Sequence, residues 1–132
     1  MVCAHEAVSE IASSIEAKTV VPVRATWNND LYACRFVYAH GAVMGLSVKE
    51  LGSTAATTAY YNGLAHSLGK VRDTSIGGQR AFTTPTGSLV VRKDDKVLLV
   101  DVSKLPHVLS RFPRSTDAQI VAEVIMDCWK GF

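Results

Sequence analysis

A chain of 132 residues with 48% hydrophobic and 20% charged side chains has the size and composition of one globular domain. A formal charge of +2 with a near-normal apolar fraction excludes a disordered tail, and no apolar run approaches the roughly 18 to 20 residues of a bilayer-spanning helix. Three cysteines, Cys3, Cys34 and Cys128, are too few for a disulfide-dense scaffold and too widely spaced for a zinc site built from close pairs.

No basic segment followed by an apolar stretch opens the chain, so the expectation is a cytoplasmic protein or a mature domain cut from a longer precursor. Ala4, Val8, Ile11 and Ile15 recur at helical spacing and predict an amphipathic helix over roughly residues 4 to 17. The β-branched run from Thr19 to Trp27 reads as extended, with Pro22 marking an edge or a strand start. Asn28-Asn29-Asp30 is turn chemistry, because these side chains tolerate left-handed backbone. From Leu31 to Tyr38 the chain alternates, with Tyr32, Cys34, Phe36 and Tyr38 on the inward face and Ala33, Arg35 and Val37 on the other. After His40-Gly41, Met44, Leu46 and Val48 alternate along a third strand, completing a three-stranded meander over residues 19 to 50.

Thr57, Tyr61, Leu64 and Leu68 mark a second helix that Gly69 closes. The stretch Arg72 to Gln79, with Gly77-Gly78, reads as a loop before a short strand near Arg80 to Thr83. Turns at Pro85-Thr86-Gly87 and Lys93-Asp94-Asp95 then separate strands at residues 88 to 92 and 96 to 102, a second meander. Pro106 and Pro113 bracket a loop or a single helical turn. Thr116 with Gln119 has the form of a capping box, opening a last helix whose inner face carries Val121, Ile125, Cys128 and Phe132. The expected fold is a single α+β domain over residues 1 to 132: two three-stranded antiparallel meanders with three helices, in the order α-βββ-α-βββ-α, the helices packed on sheet.

No catalytic constellation emerges. His5, His40, His66 and His107 form no pair at metal-ligand spacing, and Gly77-Gly78 lacks the spacing of a phosphate-cradling loop, so neither a metal nor a cofactor is expected. Cys34 and His40 are about 20 Å apart along an extended strand, too far for a nucleophile and its base. An inward Cys34 among aromatics reads as a buried or disulfide-bonded residue. Asp101, beside apolar neighbours near a strand end, needs a partner if it faces inward, and Arg92 and Lys104 are the candidates. Tyr60 and Tyr61 point about 100° apart on a helix, so one of the two hydroxyls should reach solvent or a pocket. The aromatics Trp27, Tyr32, Phe36, Tyr38 and Trp129 read mainly as core, though they could line a cleft. Residues 70 to 114 hold nine Lys/Arg against four Asp/Glu, a basic region able to attract an anionic partner. Without interleaved exposed aromatics, nucleic acid is not the expected partner.

Several phrases of the chain belong together. Tyr32-Ala-Cys34-Arg35-Phe36-Val-Tyr38, Leu46-Ser-Val-Lys-Glu-Leu51, Ala59-Tyr-Tyr61, Gly78-Gln-Arg-Ala-Phe82, Gly87-Ser-Leu-Val-Val-Arg-Lys-Asp94, Val97-Leu-Leu-Val-Asp-Val102 and Cys128-Trp129 resemble small exported lipoproteins of actinobacteria, a family of uncharacterised function. The resemblance spans nearly the whole chain through structural phrases, none of them catalytic. It implies an extracytoplasmic, envelope-associated domain whose contact with the membrane runs through an upstream lipidated cysteine and linker. Cys3 does not suit that anchor, because a helix follows it with no spacer. In the oxidising compartment so implied, two of the three thiols should pair. Cys3 with Cys34 is the first choice, with Cys128 to either one the alternatives. A closed loop of about 30 residues contributes on the order of 3 kcal/mol.

These readings converge on a non-enzymatic binding or interaction domain that holds a small ligand, a lipid or an envelope protein. Tyr61, Arg92 and Asp101 are its candidate ligand-binding residues. The alternative is a small intracellular thiol-dependent enzyme or regulator, for which reduced cysteines would be the mark.

Overall fold

A computed structural model describes residues 4 to 128. The elements are α1 (His5–Ile15), β1 (Arg24–Asn28), β2 (Leu31–Val37), β3 (Val43–Glu50), α2 (Thr54–Leu68), β4 (Arg72–Ile76), β5 (Gln79–Thr83), β6 (Leu89–Lys93), β7 (Lys96–Lys104) and α3 (Arg114–Cys128), with a 3-10 turn at Ala39–Gly41. The three expected helices are present and the architecture is α+β.

The strands depart from two three-stranded meanders: seven strands form one sheet, in the order β1-β2-β3-β7-β6-β5-β4, with every pairing antiparallel. The first meander has three strands as expected, but the second has four. Its extra strand, β4, is the stretch expected as a loop. Gly77 and Gly78 take φ of 57° and 81°, the left-handed pair that a two-residue hairpin turn demands, and join β4 to β5. The two meanders fuse because β3 runs beside β7, from Glu50↔Lys96 to Gly45↔Asp101, which places β7 at the centre of the seven-stranded sheet.

Strand alternation assigns the layers. Cys34, Phe36, Met44, Leu46, Val48, Ala81, Leu89, Val91, Leu98 and Val100 share one face and pack with Ile11 and Ile15 of α1 and Val121, Ala122 and Ile125 of α3. Ile11, Val121 and Ile125 are fully buried. Each contributes about 1.5 to 3 kcal/mol of apolar burial, as an upper estimate. The opposite face is covered only in part. There Phe82, Val90 and Val97 form a second, smaller core with Tyr61 of α2, backed by Leu51, Leu64 and Leu99. Among the described residues, no helix covers that face over β1, β2 and β3. That bare half-face is where the topology leaves chemistry exposed.

Helix ends follow local chemistry. Ser53 caps α2 with its hydroxyl accepting from the Ala56 amide at 3.1 Å, and Gly69 ends it. The expected capping box at Thr116 is not the start of α3. The helix begins two residues earlier, with the Pro113 carbonyl accepting from the Thr116 and Asp117 amides, so Thr116 lies inside the first turn. Cys128 is exposed at the end of α3 and Leu68 is 38% exposed, so neither lies on a buried helix face. Phe132 and Trp129 lie outside the described residues.

Candidate functional site

Tyr61 and Arg92 are brought together. Tyr61 packs edge-on against Phe82 at 5.1 Å between ring centroids, and the Arg92 guanidinium lies 5.9 Å from the Tyr61 ring centre. Arg92 Nη1 donates to Thr58 Oγ1 at 2.9 Å, tying β6 to α2. Burial raises the Tyr61 phenol, and Arg80 and Arg92 oppose that rise. Tyr61 is buried while Tyr60 is only half-buried, which separates the adjacent pair as helix geometry requires. The Tyr61–Arg92 contact thus lies within the smaller core and serves its packing.

Asp101 is elsewhere. Its Oδ1 accepts from the Ser103 amide and hydroxyl at 2.9 and 2.6 Å and from Ser88 Oγ at 3.4 Å, so its partners are serines rather than Arg92 or Lys104. The reason is register: Arg92 opposes Val97, four residues away along β7, and turns under α2. Lys104 pairs with Val43 beyond a register shift in β3.

Cys34 is 4% exposed and part of the main core. Cys128 is exposed and free, which removes the pairings drawn through it. Cys3 lies outside the described residues. Among the described residues, no three His, Cys, Asp or Glu side chains converge as a metal site would require, and no helix is long and apolar enough to cross a membrane.

Two clefts lie outside these expectations. The larger, about 750 Å³, opens at one end of the sheet between the end of α1, the β2–β3 connection and the segment after β7. Ala17, Ala42, Leu105, Val108 and Leu109 give it apolar walls, and Glu16, Lys18, His40 and Lys104 stand among them. An ion pair between Arg111 Nη1 and Glu16 Oε2, at 2.6 Å, ties the loop before α3 to the end of α1. Tyr38 belongs to the lining, yet its residue surface is only 3% exposed and its hydroxyl has no hydrogen-bond partner among the described residues. Asp117, 1% exposed in the first turn of α3, is likewise unpartnered at both carboxyl oxygens. Burial raises its carboxyl to about 6. Burial, and then the charge of Asp117, push the Tyr38 phenol well above its ordinary value. Of these two buried, unsatisfied polar groups only Tyr38 lines the cleft; such groups nearly always find partners in a folded domain.

The second cleft, about 420 Å³, lies on the bare half-face and is lined by Arg24, Thr26, Ala33, Cys34, Arg35, Val43, Gly45, Asp101 and Lys104. Alternation along Leu31 to Tyr38 put Arg35 on the outward face, but its neighbour Arg24 follows only from the β1–β2 register. Compared with models of known families, with curated proteins and with solved structures, the chain matches none.

Proposed function

We propose that this chain is a non-enzymatic extracytoplasmic binding domain of the actinobacterial lipoprotein type, holding a small, partly apolar ligand in the cleft at the end of the sheet. The observation that carries the reading is the cleft itself. Its volume of about 750 Å³ falls within the usual range for small-molecule sites, and its lining combines apolar walls with a few polar groups. Tyr38 supplies the cleft with a hydroxyl that has no partner among the described residues, which a ligand or an ordered water would satisfy.

A domain lying outside the membrane accounts for the cysteines in a simple way: Cys3 pairs with Cys34 and Cys128 stays free. Cys34 is 4% exposed within the main core, a setting that favours a structural role over thiol chemistry and so weighs against the thiol-dependent intracellular alternative. The test is native mass spectrometry of the protein isolated from the envelope of an exporting host. A bound small molecule is expected, and it should be lost in Ser110→Trp, a change at an exposed position on the cleft rim. Protein without any adduct, or an adduct indifferent to Ser110→Trp, contradicts the assignment.

A further inference from the structure

Arg24 and Arg35 face each other directly in the β1–β2 register, on the half of the sheet that no helix of the described residues covers. Like charges opposite one another destabilise an antiparallel pair. Neither guanidinium has a hydrogen bond or an ion pair among the described residues, and both side chains are exposed. The row continues across the sheet as Arg35↔Gly45 and Gly45↔Asp101. Gly45 therefore leaves a gap in the floor between two cations and one carboxylate. Lys104 and the Thr26 hydroxyl border the same cleft.

From this arrangement we infer a second binding site, distinct from the cleft at the sheet end, for a small soluble molecule carrying a phosphate monoester. A phosphate monoester bears about −1.5 to −2 charge near pH 7, which matches two guanidiniums, whereas a single carboxylate would leave one of them uncompensated. Arginine forks suit phosphate oxygens, and Thr26 adds a neutral donor. The cleft volume of about 420 Å³ exceeds what a bare phosphate ion fills, leaving room over Ala33, Val43 and Gly45 for an organic portion. Asp101 repels the phosphate toward the Arg24–Arg35 side. Its carboxylate offers an acceptor to a hydroxyl or amine on that organic portion.

The paired arginines make the ligand-free and ligand-bound states respond oppositely to one change. In phosphate-free buffer of low ionic strength, Arg24→Gln and Arg35→Gln should each raise the melting temperature or leave it unchanged, because a repulsion is removed. With glycerol phosphate added, the unaltered protein should melt higher and show amide shift changes at Arg24, Arg35 and Gly45 by NMR. The double variant should lose that response, its affinity falling at least tenfold. Thermal melts and NMR titrations with glycerol phosphate, acetate and phosphatidylglycerol vesicles separate the possible sources. Binding of glycerol phosphate without matching binding of acetate supports the site. Equal response to acetate, association with vesicles alone, or a glycerol phosphate response that survives in the double variant overturns it. A lower melting temperature of both single variants in phosphate-free buffer would also overturn it, since the pair would then be structural.

Discussion

The carboxyl of Asp117 acts on the hydroxyl of Tyr38: its charge adds to burial in raising the phenol, and neither group has a hydrogen-bond partner among the described residues. A carboxyl held near 6 in the folded state titrates well above its ordinary value of 3.8, so the folded protein binds the proton more tightly than the unfolded chain. The stability this group lends is therefore fully present below about pH 4 and is lost as pH rises through about 6. Asp117→Asn should raise stability by about 1 kcal/mol at pH 7.5, after allowance for screening near the surface and for the loss of a favourable charge in the first turn of α3. At pH 4 the gain should vanish. Urea unfolding at the two pH values measures both.

Tyr38→Phe removes a buried hydroxyl that no described group satisfies while keeping the ring in the core. It should be neutral or stabilising by up to about 1 kcal/mol in ligand-free protein. The same change should weaken whatever the sheet-end cleft holds if the hydroxyl bonds to it. Chemical denaturation, paired with adduct retention in native mass spectrometry, reads the two effects separately.

Ser53→Ala deletes the hydroxyl that accepts from the Ala56 amide at 3.1 Å and caps α2. A loss of about 1 kcal/mol is expected. Ser53→Asp should restore most of it, because aspartate accepts the same bond and favours the helix N-terminus. Urea midpoints of the two variants make the comparison.

Gly87 adopts φ of +87°, and a methyl group there would meet Ser115 Cβ at 3.0 Å and its Cα at 3.2 Å. Gly87→Ala therefore combines left-handed strain with a clash against the first turn of α3. It should destabilise by about 2 kcal/mol or more, measurable as a lowered urea midpoint with an unchanged slope.

The elements with one dominant local signal were legible in the sequence. Gly69 ends α2 as expected, and the alternation of Met44, Leu46 and Val48 marks β3, an interior strand of the sheet. β4 was not legible because Arg72, Asp73, Thr74 and Ser75 are polar on both faces, as an edge strand permits, and only Ile76 is buried. The start of α3 was misread because Thr116 and Gln119 have the spacing of a capping box while the chain already turns at Pro113. Of the candidate site, Tyr61 and Arg92 meet as packing partners, and Asp101 borders the smaller cleft. The pairing of Arg24 with Arg35 and the approach of Asp117 to Tyr38 depend on strand register and helix docking, which residue spacing does not encode.

A domain lying outside the membrane should carry one disulfide, and a count of free thiols reads that out. The full precursor would be expressed in an exporting host, and the domain isolated, denatured without reductant and titrated. One free thiol, mapping to Cys128 by peptide mass analysis, is the predicted result. Three free thiols would rule out the disulfide and favour thiol chemistry inside the cell.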